Sequence, residues 1–168
     1  MTRWYGSINN RIDEGHYYNG TYQNIKVGDF ATEYLWSDRH AYEVVEVKDQ
    51  KHVKIRRLDA KMITPYSNEW TYTQNESNPV KELELQKKGW KSVKYVDLES
   101  WNNALIEARK DITNPDENPE KVRWLAQCYL RLNDENLEKV LSGKRVKTVS
   151  EKISVSFGIA DEYYDYSF

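Results

Sequence analysis

The chain predicts an α+β protein: a small antiparallel β-sheet or partial barrel over residues 1–95, then a mainly helical region over 96–168 that closes with a strand and an acidic, aromatic tail. Three observations predict it. Residues 41–48 and 52–58 alternate with the period of a strand, apolar residues recur at helical spacing from Leu98 onward, and alternation returns at Ile153.

Before the first clear strand the signals are short. Ser7 to Glu14 reads as a helical turn, Tyr17-Tyr18-Asn19-Gly20-Thr21-Tyr22 carries an Asn-Gly turn, and Asn24 to Asp29 reads as an edge strand. The strongest element follows. Ala41 to Lys48 and His52 to Leu58 form a hairpin around Asp49-Gln50-Lys51. If paired positions sum to 100, Val47 faces Val53, Val45 faces Ile55, and Glu46 faces Lys54 on the other side, so apolar and opposite-charge pairs fall into place together. Asn68 to Thr73 reads as another strand, and Glu82 to Gln86 with Trp90 to Val93 as a second hairpin turning at Lys87-Lys88-Gly89.

Behind Asp97 as N-cap, Leu98, Trp101, Leu105, Ala108 and Ile112 make one helical stripe that stops near Asn114-Pro115. A second helix starts with Asn118 as cap and Pro119 in its first turn, and carries Val122, Leu125, Ala126, Tyr129 and Leu130 as its apolar face. Leu137, Val140 and Leu141 define a third, closed by Gly143. The simplest use of these stripes is a helical hairpin packed on itself or on the sheet. In the last strand Ile153, Val155, Phe157 and Ile159 oppose Ser154, Ser156 and Gly158. The tail from Asp161 to Phe168 is either a mimic of a phosphate-and-base strand or a disordered terminus.

Composition excludes several function classes. One cysteine, Cys128, cannot form an internal disulfide, and the three histidines are scattered, so no metal site and no cofactor are expected. Cys128 lies beside the stripe of the second helix, where a buried structural thiol is favoured over a nucleophile. The opening Met-Thr-Arg-Trp-Tyr-Gly has no apolar signal region, and no run of about 18 apolar residues occurs, which predicts a cytosolic protein without a membrane partner. There is no phosphate loop, nucleophile elbow, zinc-protease motif or dinucleotide fingerprint. Net charge is −2, but the first 95 residues hold 15 basic and 13 acidic residues and the remainder 10 and 14, so the first half is better placed to meet phosphate.

The chemically richest stretch is Thr32 to His40, read as a loop that leads into the main hairpin. Glu33, Asp38, Arg39 and His40 are the candidate catalytic residues, because an imidazole beside a guanidinium and carboxylates suffices for metal-independent cleavage of an RNA backbone. The alternative gives them structural work, with Asp38 capping a turn and Arg39 paired to Glu33 or Glu43. Binding without catalysis needs only cations and aromatics. Tyr34, Trp36, Lys51, Lys54, Arg56 and Arg57 are the candidate nucleic-acid contacts, with Tyr42 nearby and Lys54 and Arg56 on the face of His52.

The run Gly28 to Val44, continuing through Lys48-Asp49-Gln50-Lys51-His52-Val53, together with the opening Trp4 to Arg11, resembles a family of small proteins from phages, plasmids and other mobile elements of Gram-positive bacteria. The resemblance covers roughly residues 1–95. Proteins of this kind look like some type II-A anti-CRISPRs, which inhibit Cas9. The resemblance therefore implies an inhibitor of a host defence ribonucleoprotein in the bacterial cytoplasm, with Cas9 and its guide RNA as partners. A ribonuclease, or a non-enzymatic interaction module such as a homodimer, is the alternative.

Overall fold

The structure is a computed structural model that describes residues 3–5, 11–13, 17–18, 21–22 and 24–165, with side chains described from Asn24 onward. The α+β class is as expected: mostly antiparallel strands, three helices among the described residues, and strands again at the end. Four short strands come first: β1 (Arg3–Tyr5), β2 (Arg11–Asp13), β3 (Tyr17–Tyr18) and β4 (Thr21–Tyr22). Then come β5 (Phe30–Tyr34), β6 (Arg39–Asp49), β7 (His52–Arg57), β8 (Asp59–Met62), β9 (Trp70–Thr73), β10 (Val80–Gln86) and β11 (Gly89–Val96). Helices α1 (Leu98–Asp111), α2 (Pro119–Leu130) and α3 (Asp134–Leu141) precede β12 (Val146–Lys152), β13 (Val155–Phe157) and β14 (Ile159–Asp161).

The chain divides into two compact units, with residues 93–150 forming one and the flanking segments the other. The chain from Glu151 onward returns to the first unit. There the strands β11-β10-β7-β6-β5-β13 form the main antiparallel sheet. A smaller sheet, β1-β9-β8, and the β2–β14 and β3–β4 pairs complete the unit. Tyr17 pairs antiparallel with Tyr22, and Tyr18 with Thr21; the Asn19-Gly20 turn expected between them lies outside the described residues.

The main hairpin holds the expected register in its middle, with Val47 opposite Val53 and Glu46 opposite Lys54, but at the turn a shift between Val47 and Asp49 pairs Asp49 with His52, so the loop is Gln50-Lys51 and not the expected three residues. Further along it shifts. A bulge between Val44 and Glu46 sets Val44, not Val45, against Ile55. Strict alternation puts Tyr42 and Val44 on one face and Val47 on the other, whereas one extra residue at Val45 turns all three toward the same core. That core contains Ala31, Tyr42, Val44, Val53, Ile55, Leu83 and Phe157, with Val47 packed on it.

Several expectations are corrected. Arg11–Asp13 is a strand, not part of a helical turn, and the rest of that turn lies outside the described residues. Asn24 to Asp29 is a turn: Lys26 N donates to Asp29 Oδ2 at 2.8 Å and Asn24 has φ +58°, so a side-chain acceptor replaces the ladder. Asn68, at φ +55°, delays its strand to Trp70. Thr32 to Tyr34 belong to a central strand, and the loop is only Leu35 to Asp38. Neither β8 nor β12 was expected. The final alternation splits at Gly158, whose φ of +81° redirects the chain from β13, paired with β5, to β14, paired with β2.

In the second unit Asp97 accepts from Ser100 N as the expected N-cap. Trp101, Ala104 and Ala108 of α1 bury with Val122 and Ala126 of α2 and Leu137 and Val140 of α3. Asn118 caps differently: its Nδ2 donates back to Thr113 O and Asn114 O, and its side chain accepts nothing from the helix. Cys128 is exposed rather than buried. Two residues beyond Ala126 it has turned about 200° around the helix, away from the stripe.

The acidic tail is neither an extended phosphate mimic nor a loose end through Asp165. Asp161 and Glu162 are buried. Glu162 Oε2 accepts from Ala41 N at 2.7 Å and Arg57 Nη1 at 2.8 Å, its Oε1 accepts from Arg57 Nη2, and its amide donates to the hydroxyl of the fully buried Tyr72 at 2.8 Å. Glu162→Ala should cost about 3–5 kcal/mol in urea unfolding, since it takes the carboxylate from Arg57 and leaves the buried Ala41 amide without its acceptor. Asp116→Ala, which removes the exposed partner of Arg109, should cost less than about 1 kcal/mol. Equal costs would remove the tail's structural role.

Candidate functional site

The four-residue loop between β5 and β6 is held from several sides. Leu35 N donates to Asp38 O at 2.8 Å, Tyr34 N to Ser154 O at 2.8 Å, and Arg39 and Tyr163 exchange backbone hydrogen bonds at 2.9 and 3.0 Å. Asp165 N donates to Asp38 Oδ1 at 2.9 Å. Arg39 pairs with Asp161 at 3.0 Å and lies 4.8 Å above the Tyr163 ring. On this braced tip Trp36 is 96% exposed and Leu35 44% exposed. A large ring held in solvent by a fixed backbone loses little entropy on binding, which is how anchor residues of interfaces are built.

The four candidate catalytic residues do not form one constellation. Glu33 and His40 sit opposite each other in the ladder and so share a face, Arg39 points to the other face, and Asp38 lies in the loop. Glu33 is already engaged: its Oε2 accepts from Tyr42 OH and from Lys81 Nζ, both at 2.8 Å. Asp38 braces the tip, and Arg39 pairs with Asp161 rather than with Glu33 or Glu43. Lys81 and Asp161 are the members of this region that sequence reasoning missed. Lys81 stands in an ordinary charged strand pattern that carries no signal, while the acidic cluster at 161–162 was visible without its partner.

The expected basic face of β7 is a ladder of alternating charge. His52 Nδ1 lies 2.8 Å from Asp49, Lys54 2.8 Å from Glu46, and Arg56 2.8 Å from Glu43, whose other oxygen accepts from Gln74 at 2.6 Å. Glu84 and Glu82 of β10 flank His52 and Lys54 from the other side. Five carboxylates thus share a face with three basic groups, so it offers no net field to phosphate. Arg57 is bound to Glu162. Of the six candidate contacts, Tyr34 is half-buried at the base of the tip, Trp36 is free at its end, and Lys51 is exposed in the β6–β7 turn.

No family model matches the chain, and no curated protein or solved structure matches it. Among the described residues no group of three or more potential ligands gathers as a metal site, and no helix is long and apolar enough to cross a membrane.

The Glu33–Tyr42–Lys81 cluster makes stability depend on alkaline pH. Burial, reinforced by the hydrogen bond to Glu33, holds the Tyr42 hydroxyl above its ordinary 10.0. For Lys81 burial works against the charge, but the bonds with Glu33 and Tyr42 outweigh it and lift the ammonium above 10.5. The folded state therefore holds both protons more tightly than the unfolded chain. Their contribution is fully present below pH 10.0 and is lost as pH rises through the higher folded values. Urea midpoints should be level between about pH 7 and 9 and fall above about 10, with a shallower fall for Tyr42→Phe; an identical profile for that variant would discard the cluster as the cause.

Proposed function

We propose that the protein is a non-catalytic inhibitor that docks on a host defence ribonucleoprotein through the tip between β5 and β6, and that its target is Cas9 loaded with guide RNA. The observation that carries the reading is Trp36, 96% exposed on a loop braced by Asp38, Arg39 and the returning C-terminal segment. Binding is favoured over turnover because Glu33, Asp38 and Arg39 each serve a structural bond, and a group bound to structure is poorly placed to move a proton in a reaction. The target class comes from the resemblance of residues 1–95 to mobile-element proteins, which also sets the site of action in the bacterial cytoplasm.

The alternative with a physical footing is a metal-independent ribonuclease in which His40 acts beside Glu33, its partner across the ladder. A homodimeric interaction module without nucleic-acid contact is the third.

The purified protein should co-elute with guide-loaded Cas9 and lower its cleavage of target DNA. Trp36→Ala should weaken that binding by about 2 kcal/mol, roughly 30-fold, at unchanged melting temperature. Absence of both co-elution and inhibition would overturn the reading. Guide RNA shortened by the wild type but not by His40→Ala would select the nuclease instead.

A further inference from the structure

We infer that the docking face is wider than the β5–β6 tip, and that its occupant is a protein surface rather than RNA or a second copy of this chain. The face joins the tip to the β8–β9 loop, residues 63–69, with Trp36 and Tyr66 as its two anchors. This deepens the proposed docking and rests on it.

The C-terminal segment ties the two loops together. Tyr163 exchanges backbone hydrogen bonds with Arg39, and Asp165 N donates to Asp38 Oδ1 at the tip. Between them Tyr164 N donates to Asn68 Oδ1 at 3.0 Å, and Asn68 Nδ2 donates back to Tyr164 O at 3.1 Å. Both loops are therefore bonded to one stretch of chain, residues 163–165. Large apolar side chains gather around it: Tyr66 is 77% exposed, Ile63 53%, and Tyr164 and Leu35 each nearly half, beside the solvent-held Trp36. A run of exposed apolar groups on an otherwise charged protein marks an interface. What Tyr66 and Tyr164 offer a partner is ring area, whatever their hydroxyls bond.

The second loop is braced like the first. Ile63 N donates to Glu69 O at 2.7 Å, Ser67 N and Oγ both donate to Thr64 O at 3.1 and 2.6 Å, and Glu69 N donates to Ser67 Oγ at 3.1 Å. Within that brace Tyr66 stands at φ +61°, a left-handed backbone that costs an aromatic residue energy and costs glycine none. Strain of this kind gathers in loops that contact ligands.

Charge decides the occupant. Residues 35–38, 63–69 and 163–165 contain Asp38, Glu69 and Asp165 and no lysine or arginine. Arg39, at the base of the tip, is committed to Asp161, and Lys61 belongs to β8, outside the loop. A nucleic-acid strand needs cations for its phosphates, so rings among acids fit it poorly. A second copy set on the same face by a two-fold axis would bring the three acids toward their own counterparts. The complementary surface is a protein's, with apolar pockets inside a basic rim.

Interferometry against guide-loaded Cas9, and against the guide RNA alone, tests the assignment. The wild type should bind the complex and not the free RNA. Tyr66→Gly should lose roughly tenfold or more in affinity yet melt no lower than the wild type, which separates a contact from a role in folding. Glu69→Lys should weaken binding about fivefold against a basic rim, whereas a phosphate contact would gain from the added cation. Wild-type affinity in Tyr66→Gly, tighter binding by Glu69→Lys, capture of the free RNA, or a wild-type dimer that Tyr66→Gly dissociates would overturn the inference and leave the Cas9 reading standing. If the wild type does not bind the complex, that reading fails, and pulldown from ribonuclease-treated bacterial lysate decides the face by itself. One protein, identified by mass spectrometry, that the wild type holds and that both Trp36→Ala and Tyr66→Gly lose upholds it; no capture, or capture indifferent to either substitution, overturns it.

Discussion

The first unit depends on one buried carboxylate. Glu162 is met by the Ala41 amide and the Arg57 guanidinium, and its own amide reaches Tyr72, so a residue near the end of the chain ties together β6, the end of β7 and β9. An isolated buried carboxylate is expensive, and this one is tolerated because both oxygens have charged or amide donors. Beside it Thr32, fully buried, donates to Ile159 O at 2.7 Å and accepts from Asp161 N at 3.1 Å. These bonds place the C-terminal segment where its backbone can grip Arg39 and where Asp165 can reach Asp38. The exposure of Trp36 follows from this brace, since a loose loop would fold a tryptophan back onto the nearest apolar surface.

The two units use charge differently. In the first, basic strand residues lie opposite acidic ones across two ladders, which satisfies the sheet surface and cancels its field. In the second, every helix carries an acid in its first turn, and α1 also at its N-cap, where the macrodipole favours them. A net charge of −2 conceals this arrangement, because it sums over both units.

Much of the tip region was legible in the sequence, and its wiring was not. Trp36, Asp38, Arg39 and His40 stood out as polar and aromatic residues next to a strand. Their status turned on pairing: the assignment of Arg39 to Glu33 or Glu43 used neighbours close in sequence, whereas the partner is Asp161. Arg56 and Arg57 read as a phosphate-binding pair for the same reason. Their acceptors, Glu43 and Glu162, differ in distance along the chain, at 13 and 105 residues, and only the nearer falls within the reach of hairpin reasoning.

By itself the sequence determined the class, the order and most of the elements: the pairing of Val47 with Val53 and Glu46 with Lys54 in the main hairpin, the cap at Asp97, the breaks at Asn114-Pro115 and Gly143, and the return to strand after the helices. Those features are decided by interactions within a few residues, where propensity, periodicity and capping act. The tertiary structure decided the bulge that turns Tyr42, Val44 and Val47 to one core, the kink at Gly158, the burial of Asp161 and Glu162, and the exposure of Cys128. Each depends on which distant surface a segment meets, and chain closure over more than a hundred residues leaves no local mark in the residues it joins.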